Sequence, residues 1–362
     1  MEVHAPSSVL LSGKIRFLIL DYTGRSTTNF TTPFRLLFLD SLIALSLALF
    51  FAPFGNFAIA EISHLQKESK SKGLVLFSQY KPAEAELRIA AEAGDTEAQF
   101  YLAEELRRRS KYITPEAKKW LEAASAQGDL YAMLRLARSD NDLCATMKNC
   151  PSGQKTSAEW LDTVKELATS KSEKGDAESA YVMYLATGQL DWLKKSAESG
   201  FAQGQWLLAI RYKEGNGSFL LPWKRSEAVE NWAKASALGG NPKGMMEYAA
   251  ILFEKGDMES FRYWNEQAAS IGFATTVYGY GSDLAHEPDT YGFPYDIIKG
   301  YALIYLLKEL DGGGGMDANV NDKLPKIAAK MTQTQIAEAK VFAQKWKATH
   351  PPLSFFPDKL GD

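Results

Sequence analysis

One short motif returns along most of this chain and always ends in glycine. AEAG ends at Gly94, SAQG at Gly128, SEKG at Gly175, AESG at Gly200, ALGG at Gly240 and ASIG at Gly272. The spacings of 34, 47, 25, 40 and 32 residues fall in the period range of helical repeats. The register is tighter than the period. Eight residues before four of these glycines stand Trp120, Trp192, Trp232 and Trp264, half of the chain's eight tryptophans. Four residues after the glycines every side chain is small: Ala98, Ala132, Ser179, Gly204, Gly244 and Thr276. Eight after, every one is apolar or aromatic: Leu102, Leu136, Met183, Leu208, Tyr248 and Tyr280.

A chain with this register cannot bury its apolar faces one unit at a time. Each unit reads as two antiparallel helices. The glycine ends the second helix, where a left-handed residue costs little, and the next helix begins at once behind a small polar cap. Small residues four positions on let helices approach closely, and the tryptophans fill the space between layers. The expected fold is all-α, an alpha-alpha superhelix (solenoid) in which each unit covers its neighbour.

The pattern resembles Sel1-like repeats, relatives of the tetratricopeptide repeats. The stretch from Leu207 to Gly239 carries most of one unit, and YGFPYDIIKGYALIYLL (Tyr291–Leu307) carries the loop and the D-x-x-K step of the last, with Gly300 where alanine is usual. The resemblance covers roughly residues 78–312 and implies a scaffold or adaptor that binds another protein. The unit opening at Gly175 departs from it through a loop cut short at TGQLDWL, and residues 139–160 form an insertion.

The array, residues 61–311 and helical from about Gly73–Tyr80, is flanked by two other segments. Residues 41–60, SLIALSLALFFAPFGNFAIA, carry no charge but Glu61 follows directly. The apolar core Leu42–Ala52 has the length of a signal-peptide h-region and is short for a membrane span. Ala58-Ile59-Ala60 is an A-x-A cleavage pattern, which places the cut between Ala60 and Glu61. Residues 1–60 are therefore expected to be a leader, its first thirty or so residues an over-called start. An uncleaved anchor is the alternative, and the only expected route to a membrane. Residues 312–362 hold the glycine run Gly312–Gly315, expected as a linker, an amphipathic capping helix over about 333–349, and a tail whose Phe355-Phe356 pair is expected to fold back on that cap.

Export sets the redox compartment. Cys144 and Cys150, the only two cysteines, lie in the insertion. In an oxidising periplasm they are expected to form a disulfide, with two free thiols as the alternative.

Chemistry is harder to find. The net charge of −3 and the lack of a long basic block argue against a nucleic-acid partner. The four histidines, His4, His64, His286 and His350, make no metal-binding spacing, so neither metal nor cofactor is expected. Ser282, Asp283 and His286 lie close together in GYGSDLAHE, but the strand-to-helix elbow of a serine hydrolase is missing. The sequence points to a non-catalytic interaction module. Aromatic residues in two loops, Phe219, Trp223, Tyr291, Phe293 and Tyr295, are the candidate partner contacts, with packing between units as the alternative. By resemblance, such a module could also be an immunity protein that neutralises a type VI secretion lipase effector. A periplasmic hydrolase and a membrane-anchored assembly factor are further alternatives.

Overall fold

The computed structural model describes residues 63–139, 144, 147–149 and 153–360. The leader, with Ala60 and Glu61, and Cys150 lie outside them. Among the described residues there are sixteen α-helices and no strand, only one isolated bridge between Phe273 and Ser354. The helices come in seven pairs: α1 (His64–Ser78) and α2 (Glu84–Glu92), α3 (Thr96–Ser110) and α4 (Pro115–Ala126), α5 (Leu130–Ala137) and α6 (Ser157–Glu173), α7 (Ala177–Thr187) and α8 (Leu190–Glu198). The series continues with α9 (Ala202–Lys213) and α10 (Pro222–Leu238), α11 (Pro242–Glu254) and α12 (Met258–Ser270), α13 (Ala274–Leu284) and α14 (Ile297–Leu306). Two further helices follow, α15 (Met316–Ala328) and α16 (Gln333–Thr349). The array thus begins one helix turn or more before the Gly73–Tyr80 boundary read from the sequence. No helix of the described residues is long and apolar enough to cross a membrane.

The repeated glycine works as a punctuation mark. All six have positive φ, between 81° and 93°. At Gly94 the amide bonds back to Ala91 O at 3.0 Å and that of Asp95 to Ala90 O at 3.1 Å, the paired closure of a Schellman motif. The same two bonds recur at Gly128, Gly175, Gly200, Gly240 and Gly272. The residue that receives the chain from the glycine then caps the next helix. Asp95, Asp129, Asp176 and Asn241 each accept a backbone N–H from the small residue of the following turn, Ala98, Ala132, Ser179 and Gly244. Phe201 and Phe273 stand at the same place without a side-chain cap and contribute rings instead, edge-on to Tyr181 at 5.3 Å and to Phe356 at 5.7 Å.

Close packing follows from the small positions. Ser196 and Ser236 donate to Ala177 O and Ala202 O, joining the two helices of their own pairs. Gly204 and Gly244 lie against these same serines; a Cβ on Gly244 would come within 2.6 Å of the Ser236 Cβ. Of the register tryptophans, Trp120 is buried, while Trp192, Trp232 and Trp264 are half-buried. Trp192 packs against both the core around α1–α7 and that around α7–α10, and Trp232 joins the latter to the core of α9–α12. They are seams between cores more than fillers inside one.

The superhelix closes on itself. Ser354 N donates to Gly272 O at 2.9 Å and Phe355 N to Ser78 O at 3.0 Å, so consecutive tail residues hold the seventh unit and the first. The glycine run is not a free linker. Gly313–Gly315 form a 3-10 turn, and Gly313 lies against Gln79 O with Gly314 under the Phe355 ring. Lys81 of the first unit bonds Glu309 O and sits 3.4 Å from Asp311. The first helices of seven units, about 9 Å apart, would run about 54 Å in a straight line. The eight tail residues 353–360 can reach only about 27 Å. One short tail touching both ends requires a curled array.

Candidate functional site

The inner face is built from the first helix of each pair. Counted from the repeated glycine, the residues that face inward stand at positions three, six or seven, and ten, one stripe of a 3.6-residue helix. Position three supplies Tyr131, Glu178, Gln203 and Lys243, and position six supplies Tyr181 and Trp206. Together with Tyr101 they line a cavity of about 470 Å³. Its sides are aromatic and its polar groups few and paired. Tyr131 donates to Glu178 Oε1 at 2.9 Å, and Asn241 Nδ2 to Gln203 Oε1 at 2.7 Å. Lys243 Nζ lies 4.9 Å from the centre of the Trp206 ring. Burial pushes the phenols of Tyr101 and Tyr131 well above their ordinary value, and that of Tyr181 up to about 12. These tyrosines stay neutral hydrogen-bonding groups at any physiological pH.

The stripe continues toward the first unit as a buried ion pair. Arg135, at position seven of its unit, grips Glu104, at position ten of the unit before, through Nε at 2.8 Å and a second nitrogen at 2.9 Å. Arg107 adds a third contact at 3.2 Å. Glu104 is 3% and Arg135 8% exposed. Beside them Arg108 pairs with Glu105 and lies over the Phe77 ring at 4.6 Å. A buried carboxylate with two guanidiniums is fully compensated, and it ties α3 to α5.

The five loop aromatics do not form one surface. Phe293 is 4% exposed and belongs to the core around α13–α16, where Tyr280 and Phe261 meet it edge-on. It is a packing residue, correcting its reading as a partner contact. Phe219 and Tyr291 are half-buried. Phe219 stands edge-on to Tyr212 at 4.9 Å, under the Arg225 guanidinium, and Tyr291 packs on Phe253 and Phe261. Trp223 and Tyr295 alone are well exposed, at 60% and 57%; Trp223 stands in the first turn of α10 and Tyr295 in a loop two units further on. The loops around Asn216 and Tyr291 must turn tightly between helices, and the rings close the gap this leaves.

Ser282, Asp283 and His286 do not form a relay. Ser282 and Asp283 lie in α13, while the His286 ring is spent on Phe293 O at 2.8 Å and Asp289 at 3.4 Å. Among the described residues no group of three or more His, Cys, Asp or Glu side chains could hold a metal ion. No cysteine among the described residues is free; the expected partner of Cys144 lies outside them.

The groove escaped the sequence reading because its position-three residues share no type. Their signal was the register itself: the residue just before each small position was always available to face inward.

The chain is similar to a protective antigen of uropathogenic Escherichia coli strains displaying an SLR fold, at 17% identity and a TM-score of 0.44, over 79% of this chain and 61% of that one. It is also similar to a Sel1 repeat protein from Oxalobacter formigenes, at 20% identity and a TM-score of 0.41, over 78% and 86% of the two chains. The chain thus spans about 61% of the length of the first of these. No family model matches the sequence, and no curated protein does. The glycine-punctuated register and the seven helix pairs it separates make the chain an α-α superhelix, the architecture that its resemblance to Sel1-like repeats implies.

Proposed function

We propose that this protein is an exported, non-catalytic interaction module that binds a partner protein in the inner groove of its superhelix. One observation carries the reading. Successive first helices present tyrosine, tryptophan and paired polar side chains, in a single stripe, to one cavity of about 470 Å³. Concave aromatic surfaces with a few fixed polar groups are what extended partners use for anchorage. The groove replaces the outer loops as the binding surface, since three of the five loop aromatics are taken up by packing.

Export to the periplasm rests on the leader and its A-x-A motif, and with it goes a Cys144–Cys150 bridge in the insertion. N-terminal sequencing of the mature protein should start at Glu61, and non-reducing peptide mapping should recover the two cysteines together.

The groove reading is tested with a photoreactive phenylalanine placed at Tyr101 or at Trp223. Irradiation in cells should give a discrete adduct from Tyr101 and none from Trp223. An adduct from Trp223 alone would move the surface back to the loops. No adduct from either position would overturn the module reading.

A further inference from the structure

The groove is not empty along its length; the chain's own C-terminal segment lies in it. Its two halves are held differently. Leu353, Ser354 and Phe355 are fixed through backbone groups: Gln79 donates to Leu353 O at 2.8 Å, Ala274 N to Ser354 O at 2.9 Å, and Phe355 N to Ser78 O at 3.0 Å. Beyond Phe356 the contacts pass to side chains. Asp358 receives Gln203 Nε2 and Lys243 Nζ, each at 2.8 Å. Lys359 reaches Glu178 at 3.0 Å and lies over the Tyr131 ring at 4.5 Å. All four of these partners are position-three residues of successive units.

We propose that the distal tail, Phe356–Leu360, is a displaceable internal ligand, and that the groove takes in its place an extended partner segment of the same chemistry. That chemistry is aromatic or apolar residues, a proline, then a carboxylate followed directly by an ammonium. The inference rests on the groove being the binding surface.

Three features support exchange. Asp358 and Lys359 remain 45% and 39% exposed at their side chains, and ion pairs so open to water are weak. Pro357 limits the freedom lost when the distal tail, or a partner segment of the same chemistry, is laid down. A tethered segment also needs little affinity: at an effective concentration of about 1 mM, a segment with an intrinsic Kd of about 10 µM occupies the groove about 100 to 1. The same segment added in trans then meets a site about 100-fold weaker than its intrinsic value. The tail sets a threshold that a partner must exceed.

The test uses the full chain and a fluorescein-labelled peptide PPLSFFPDKLGD, followed by anisotropy. The double variant D358K/K359E turns the tail's charges against Lys243 and Glu178. It should bind the peptide at least 10-fold more tightly than the unaltered protein. The groove-side variant E178K/K243E should refuse this peptide and bind its charge-swapped form, PPLSFFPKELGD. Both pairs are solvent-accessible, so thermal melts should remain cooperative. A folded D358K/K359E that binds no more tightly than the unaltered chain would overturn the proposal. So would a folded E178K/K243E that treats the two peptides alike. Peptide binding without a cellular adduct at Tyr101 would instead remove the partner reading and leave the internal ligand standing. An adduct without peptide binding would do the reverse.

Discussion

Two rows of residues lie side by side on the first helices of the repeats and answer to different constraints. At position four stand Ala98, Ala132, Ser179, Gly204, Gly244 and Thr276, all buried. One residue earlier stand Tyr131, Glu178, Gln203 and Lys243, facing the groove. The first row meets the second helix of the preceding pair, and only small side chains fit. The second row meets the tail and solvent, so type is free to vary from unit to unit. One helix therefore carries both a fixed packing code and a variable recognition code, separated by about 100° of rotation. Among the charged residues of the groove stripe, the ion pair Glu104–Arg135 is the exception. It lies on the groove stripe but is as buried as the core.

That exception gives the largest expected effect. Arg135→Ala would leave Glu104 in a dry site with Arg107 as its remaining cation. The expected loss is about 3 kcal/mol, since removing one partner strands a buried charge. Replacing both groups, as Glu104→Leu with Arg135→Leu, should cost less, because the two most buried charges leave together and only Arg107, 13% exposed at its side chain, gives up a carboxylate contact. Urea unfolding of the three chains decides it. An Arg135→Ala loss below about 1 kcal/mol would put the pair with ordinary surface bridges and remove the exception.

The next effect tests the division between the rows directly, at neighbouring residues. Gly244→Val pushes a branched side chain against the Ser236 Cβ and backbone and should cost about 2 kcal/mol. Lys243→Ala removes a groove cation that is 22% exposed and should change stability by no more than about 0.5 kcal/mol. Hydrogen exchange should nonetheless show the amides after Phe356 opening faster in Lys243→Ala. If Lys243→Ala destabilised the chain as much as Gly244→Val, packing and recognition would not be separable on these helices.

The same contrast explains what could be read from the sequence. Packing leaves a compositional trace at every repeat, so the register of Gly94 to Gly272, the helix pairs and the all-α superhelix were legible. The caps were legible too, as Asp95, Asp129, Asp176 and Asn241 each follow a repeated glycine. Long-range closure was not. Nothing in LSFFPDKL says that Phe355 will bond to Ser78 or that Asp358 will find Lys243, because these meetings depend on the accumulated turn of seven units. The expectation that the Phe pair folds on the cap holds only in part, for Phe355, which packs against the core that includes Ala339 and Ala343 of α16. Phe355 lies against Tyr80 and Phe356 against Phe273, at ring distances of 5.3 and 5.7 Å. Phe293 misled in a different way. A loop aromatic looks the same in sequence whether it faces a partner or closes the gap beneath its own turn.

The smallest expected effect concerns a residue on neither row. Asp283, eleven positions after Gly272, lies half-buried on α13. Burial pushes its carboxyl up to about 6, against the pull of Lys323 and His286. The folded chain therefore keeps this proton to higher pH than the unfolded chain, whose aspartate releases it near 3.8. Between these two values the unfolded state ionises first, so stability should fall as pH rises through the window and level off above about 6. Asp283→Asn removes the titration. It should flatten this part of the profile and raise stability at pH 7 by about 1 kcal/mol, after allowance for partial solvent screening. Thermal melts of the two chains from pH 4 to 7 read the slope. Because Asp283 faces neither the tail nor the tight helix contacts, peptide binding in the groove should stay unchanged. A shift in binding with Asp283→Asn would mean that the groove is coupled to the far side of the seventh unit, and that the two rows do not account for recognition by themselves.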